Sequence, residues 1–270
     1  MHRYRIRWTK LGRVRFVSAR DLSSVWERAL RRADLPIAYS EGFTPHAKVS
    51  FPDALSVGFS STGEYAELTF VAPLVPDRDL ARLSAALPEG MDVLTYLPVP
   101  DGAPKLARML GATLWEQTWP PVDATELTDL LRTRTEQLLA ADHVEVVRRR
   151  PSGDKTIDVR PALLALEATT LTRPDPTAPA PASGPAASST RPDGARTVLR
   201  AVLRNDGPTV RPGDLLSALA RPGSTGDDAE FAPPATTTRV AQGEFTGDGL
   251  REALSGELVP LAPDVDAEAA

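Results

Sequence analysis

The sequence predicts an α+β protein made of two ferredoxin-like (βαββαβ) halves in tandem. Strand-type alternation opens the chain, helix-type spacing follows it, and the same order of elements returns after residue 110. The halves are expected at residues 1–100, a basic domain, and 110–250. The second carries a Pro/Ala-rich insertion at 173–195 that is expected to be disordered, as is an acidic tail at 259–270.

Residues 3–8 alternate strictly, with Tyr4, Ile6 and Trp8 on one face and Arg3, Arg5 and Arg7 on the other. Arg13–Phe16 resumes the pattern after a turn, so a leading hairpin would carry up to five arginines on one face. Unpaired like charges across strands cost up to about 1 kcal/mol each, so such a face requires neighbouring acids or an anionic ligand. Ser18 with Asp21 fits a capping box. Leu22, Val25, Trp26, Ala29, Leu30 and Ala33 form the apolar stripe of a helix that ends before Pro36. Short strands at 37–40 and 47–51 flank the loop Glu41–His46, and Gly42 in it permits a left-handed backbone. A turn at Ser56–Ser61, a strand at Tyr65–Val71, a helix around Leu80–Leu87 and a strand at Met91–Leu97 complete the first half.

In the second half, strands are expected at Ala112–Thr118, His143–Arg149, Arg196–Arg204 and Thr236–Phe245, with an extended stretch at Thr156–Thr170. Helices are expected at Asp123–Ala140 and Pro212–Ala220. Residues 173–195 hold six prolines in 23 positions and too little apolar surface to order themselves.

The formal charge of -5 hides an asymmetry: residues 1–50 hold eleven Lys or Arg against four Asp or Glu. A basic front on an acidic body points to an anionic partner, with RNA the leading candidate. The absence of cysteine excludes disulfides, thiolate zinc sites and cysteine-held iron–sulfur clusters. No apolar run is long enough to span a membrane and the N-terminus does not resemble a secretory signal, so a cytoplasmic protein is expected. No phosphate-loop or dinucleotide spacing is present, and no cofactor or metal is expected. Glu64 and Glu67, three apart on a strand, face opposite sides, so they form no single carboxylate site; Glu64 is expected to pair with the arginine face. Of the three histidines, His46 lies among Ser40, Glu41, Lys48 and Ser50 and is the candidate general acid or base. His2 is terminal and His143 lies in the other half.

The stretch Lys10-Leu-Gly-Arg-Val-Arg-Phe-Val-Ser18, the helix ending Arg28-Ala-Leu-Arg-Arg-Ala33, and then Leu35-Pro36, Tyr39-Ser-Glu-Gly-Phe43, Pro45-His46 and Ser50-Phe51 together resemble a known bacterial family. It is the radical-SAM-associated (radical-SAM-linked) family of unknown function, here in stand-alone form. Gly58, Ser61, Glu64 and Tyr65 look like its next motif, and Asp158-Val-Arg160-Pro161 like a weaker one. The resemblance implies a separately encoded radical-SAM enzyme as partner and an RNA-related setting, and it supplies no reaction. Many relatives carry a histidine after the serine that begins the first helix; here that position is Ala19.

The expected function is that of an RNA-binding accessory protein in RNA or ribosome modification or processing. Arg3, Arg5, Arg7, Arg13 and Arg15 would contact phosphates, Phe43 would stack on a base, and His46 and Lys48 would line the same groove. Ser18, Asp21, Tyr39, Ser40, Glu41, Gly42, Pro45, Gly58, Ser61 and Glu64 are the surrounding motif positions. The alternatives are a metal-independent RNA-processing enzyme using His46 and a protein-only adaptor for the radical-SAM enzyme. The RNA reading requires that the leading ribbon show its arginines on a helix-free surface.

Overall fold

The computed structural model describes residues 1–53, 55–121, 124–172, 195–220 and 231–263. In chain order its elements are β1 (His2–Lys10), α1 (Ala19–Arg32), β2 (Val49–Ser50), β3 (Ser60–Phe70), α2 (Pro76–Ala86), β4 (Val93–Pro98), α3 (Leu106–Met109) and β5 (Ala112–Thr118). Then come α4 (Ala124–Ala140), β6 (Glu145–Arg148), β7 (Lys155–Asp158), β8 (Leu163–Thr172), β9 (Ala195–Arg204), α5 (Pro212–Ala220), β10 (Thr236–Phe245), β11 (Gly249–Glu252) and β12 (Leu258–Pro260). The protein is α+β with mixed strand pairing. It divides into two compact units: Met1–Leu114 with Thr238–Thr246 and Leu250–Val259, and a second holding Trp115–Thr237, Gly247–Gly249 and the chain from Pro260.

In the first unit, β1 lies between β4 and β3, and β2 pairs with β3; all three pairings are antiparallel. From Thr238 on, β10 runs parallel to β3, with Thr238 opposite Ser60 and Arg239 opposite Ser61. Gly63 permits this approach, because a Cβ there would lie 2.7 Å from the Ala241 Cα. The inward row of β1 is Tyr4, Ile6 and Trp8, which pack with Leu22, Trp26, Ala29 and Leu30 of α1 and with Leu83 and Ala86 of α2. Trp8 and Trp26 meet edge to face at 5.3 Å between ring centres. α1 starts where the Ser18 hydroxyl accepts the Asp21 N–H at 3.2 Å and donates to the Asp21 carboxylate at 2.7 Å. Past its end Asp34 takes a left-handed φ of 50°.

The structure corrects the sequence reading in several places. Arg13–Phe16 is no strand: Gly12–Phe16 forms a 3₁₀ turn with only Val14 buried, and Gly12 adopts φ 57°. Four alternating residues fit either conformation, and the left-handed glycine favours the tighter one. No leading hairpin exists, so Arg13 and Arg15 do not extend the arginine row of β1. The expected strands at 37–40 and 47–51 reduce to the bridges Ile37–Phe70 and Tyr39–Ala47 and the two residues of β2. The expected tail at 259–270 is ordered at its start, because Val259 and Pro260 belong to β12, which pairs with β11. The insertion at 173–195 lies outside the described residues except for Ala195, and so does the tail beyond residue 263.

In the second unit, the end of β5 from Trp115, β9 and β8 lie side by side, and α4 packs on β8 and β9. The Ala235 N–H donates to the Thr118 carbonyl at 2.8 Å, which brings the start of β10 beside the end of β5. The core is Leu131, Leu138, Val198, Leu199, Val202, Leu215 and Leu219. β6 and β7 form a separate antiparallel pair. Among the described residues no helix is long and apolar enough to cross a membrane.

Candidate functional site

The arginines of β1 are where the alternation puts them, but their face is covered. Arg5 is 6% exposed. Its guanidinium donates to Glu67 at 3.0 Å, to the Met109 sulfur of α3 at 3.0 Å and to the Pro104 carbonyl. Arg3 pairs with the same Glu67 at 3.3 Å. Arg7 donates to the Thr62 and Val240 carbonyls at 2.9 and 3.1 Å and lies 4.0 Å from the Glu252 carboxylate. Tyr65, Leu106 and Leu110 close this side together with Ala253 and Leu254. The expectation of a free five-arginine platform is therefore overturned. Neighbouring acids, not an external anion, neutralise the ribbon, and Arg5 and Arg7 have their donors engaged inside the protein. Burial, then the charge of Glu252, pushes the Tyr65 hydroxyl far up. That hydroxyl donates to Glu252 at 2.6 Å. Burial acts to raise Glu252, but the Tyr65 bond and N–H donors of Ser255 and Leu254 hold it below its ordinary value.

The loop at Glu41–His46 is exposed throughout, with Phe43 projecting fully. Its base is built: the Ser40 N–H donates to the His46 carbonyl at 2.9 Å and the His46 N–H donates to the Ser40 hydroxyl at 3.0 Å. Gly42 takes φ 127°. The His46 ring makes no hydrogen bond among the described residues, and no acid is poised against it. Tyr39, Glu41, Pro45 and Lys48 are exposed around it. Arg13 is exposed, whereas the Nε of Arg15 is buried and its guanidinium lies 4.7 Å over the Phe16 ring. Gly58 is a turn glycine at φ 92° whose N–H donates to the Arg15 carbonyl at 2.9 Å.

A second constellation joins three chain segments. Arg239, 4% exposed, donates to Glu64 at 3.2 Å and to Asp53 at 2.6 Å. The Ser61 hydroxyl donates to the Arg239 carbonyl at 3.2 Å. Glu64 therefore pairs with Arg239 and not with the arginines of β1. Beside them Lys10 continues the inward row of β1 after Trp8. Lys10, Asp53 and Glu64 line a cavity of about 30 Å³ together with Ala19, Leu22, Phe51 and Leu55. Burial lowers the Lys10 ammonium's pKa; Glu64 acts against this and Arg239 with it. Burial raises Glu64 despite the neighbouring Arg239. Lys10 and Glu64 stood in the quoted motifs, whereas Asp53 and Arg239 carried no signal in the sequence. The sequence reading ends the alternation at Trp8 and puts a turn after it, so it does not foresee the inward position of Lys10; the strand runs on to Lys10, with a shift of register after Trp8.

A model of a family of uncharacterized proteins conserved in bacteria, DUF2344, matches residues 3–212. The chain belongs to this family. The DUF2344 match takes in Lys10, Asp53 and Glu64 and ends before Arg239. No curated protein matches the chain. In this DUF2344 protein the Ala19 departure falls on the exposed wall of that cavity, where it leaves a methyl group in place of the imidazole that the resemblance leads one to expect.

The weaker motif of the second unit also has a structural role. The Asp158 carboxylate accepts the Val144 and Arg160 N–H groups at 3.0 and 3.1 Å and holds His143 Nδ1 at 2.7 Å. His143 stands at the edge of a cavity of about 480 Å³ lined by Leu138, Ala141, Val144 and Ala218. The hydrogen bond to Asp158, then its charge, raises the imidazole's pKa. Burial works to raise Asp158, but the hydrogen bonds from His143, Val144 and Arg160 prevail and lower it. The raised histidine stabilises the fold below its unfolded pKa, and that contribution is lost as pH rises through its folded value. The lowered Asp158 stabilises above its unfolded pKa and loses that as pH falls through its folded value. Asp158→Asn is expected to bring the His143 titration, followed by NMR, down to the ordinary histidine range. An unchanged titration would show that the carboxylate does not hold the ring in solution.

Proposed function

We propose that the protein is an RNA-binding accessory that acts in the cytoplasm beside a separate radical-SAM enzyme. The β1 ribbon, on which the sequence reading builds this function, is covered and cannot serve, and the proposal stands only on a different contact surface, the outer face of α1 with the Phe43 loop. One observation carries the reading. Arg13, Arg20, Arg28, Arg32 and Lys48 are exposed and make no ion pair among the described residues. Arg20, Arg28 and Arg31 fall at i, i+8 and i+11, so they form one stripe along about 17 Å of helix. Arg31 alone of the three is paired, with Glu27 at 3.0 Å. Phosphate contacts need mobile, solvated cations on a fixed scaffold, and α1 is anchored by Trp26 and Leu30 on its opposite face. Phe43 adds an aromatic surface on a hydrogen-bonded loop, the geometry used for stacking unpaired bases. The tandem ferredoxin-like plan belongs to the same proposal. The β4-β1-β3-β2 order of the first unit supports it, as do β5, β9 and β8 with the start of β10 in the second.

Fluorescence anisotropy with a single-stranded RNA over a salt series tests this. The triple variant Arg20→Glu, Arg28→Glu, Arg31→Glu is expected to bind at least about tenfold more weakly at low salt, with a salt slope shallower by about 2. Phe43→Ala is expected to cost about 1–3 kcal/mol while leaving the slope unchanged. Equal affinity and slope for the wild type and the triple variant would overturn the proposal.

A further inference from the structure

Lys10 is a buried ammonium that the fold does not pair. It is 1% exposed, and its side chain makes no hydrogen bond and no ion pair among the described residues. The two carboxylates that share its cavity are bound by Arg239 instead. Burial is costly for the charge and outweighs the pull of Glu64, so an amine in this position is displaced toward its neutral form, which is the nucleophilic one. The other walls of the cavity, Ala19, Leu22, Phe51 and Leu55, are apolar. A structural lysine would be expected to reach a carboxylate or to snorkel to water. No carboxylate lies within ion-pair distance of Lys10 among the described residues, its cavity is walled in part by the exposed Ala19 and Asp53 and so can be reached from outside, and it lies beside an acid whose burial favours the protonated form.

We propose that Lys10 is an imine-forming amine, and that its cavity receives the aldehyde or ketone carbonyl of a small uncharged ligand. The volume of about 30 Å³ admits the carbonyl end of a molecule and little more. An acidic wall, with Asp53 and with Glu64 that becomes a carboxylate in the reaction, disfavours an anionic ligand. The Lys10 nitrogen lone pair forms the C–N bond while the carbonyl π pair moves to oxygen. A proton passes from nitrogen to that oxygen, giving a neutral carbinolamine. Glu64, as the acid, protonates the hydroxyl; water leaves and the nitrogen lone pair closes the C=N bond. The products are a protonated imine, water and the Glu64 carboxylate. This activity is independent of the RNA contact made by α1.

The test is reductive trapping of the full chain with acetaldehyde and cyanoborohydride near neutral pH, followed by peptide mapping. The chain holds only four lysines, and Lys48, Lys105 and Lys155 are exposed. Lys10 is expected to acquire an ethyl group at least tenfold faster than those three. Glu64→Gln is expected to slow labelling at Lys10 alone. Lys10→Met, which leaves no partner unsatisfied, is expected to fold with unchanged or higher stability and to lose the fast adduct. Labelling confined to the exposed lysines, or fast labelling of Lys10 only after denaturation, would overturn the proposal.

Discussion

Arg239→Met is expected to destabilise the first unit by about 3–5 kcal/mol, read as a lower urea midpoint. Arg239 neutralises two carboxylates, one of them buried, and methionine fills its volume without its charge. Glu64 is then left without its counter-ion in a site that burial already makes unfavourable for the charge, so it must either stay charged there or take up a proton. Because the folded pKa of Glu64 is raised, the folded state holds this proton more tightly than the unfolded chain. The stabilisation is complete at pH below the unfolded value and is lost as pH rises through the folded one. The deficit of the variant is therefore expected to shrink on acidification. Adding Glu64→Gln is expected to recover part of the loss, because the uncompensated charge disappears with its partner. An unchanged midpoint for Arg239→Met would mean that the cluster is solvated in solution.

Trp26→Ala is expected to cost a further-reaching loss of packing, about 3–5 kcal/mol. The indole is wholly buried between β1 and the rest of α1 and touches Trp8 edge to face. No neighbouring side chain can refill that volume from a fixed strand. Trp26→Phe is expected to cost much less, because the indole N–H has no hydrogen-bond partner among the described residues and its removal relieves a desolvated donor. Comparable losses for alanine and phenylalanine would show that the site does not depend on filled volume.

Local chemistry was legible in the sequence, and long-range company was not. The Ser18–Asp21 cap and the stripe through Leu22, Trp26 and Leu30 follow from spacing within one helix, and both stand in the structure. The inward row of β1 was equally readable. Alternation says which residues share a face but not what covers that face. Glu67 lies opposite Arg5 only through the pairing of β1 with β3, and α3 caps Arg5 from 104 positions along the chain. The sequence reading named neighbouring acids as one way to satisfy the arginine row, and they are the way the fold uses. Arg239 reaches Glu64 and Asp53 across 175 and 186 positions, a distance at which no local pattern carries information. The 3₁₀ turn at Gly12–Phe16 was lost for the opposite reason: its four alternating residues are too few to separate one periodicity from another.

The pairing of β3 with Thr238 and Arg239 has a consequence for biosynthesis. When the ribosome has delivered the first 114 residues, the growing chain holds the sequence of α1, α2 and the strand trio around β1, but the Ser60–Ser61 end of β3 has no neighbour on the side away from β1 and Glu64 lacks Arg239. Those groups wait until more than 120 further residues have emerged. The nascent amino-terminal portion therefore carries an open strand edge and an unneutralised acid throughout that interval, and it matures only when the carboxy-terminal strand arrives.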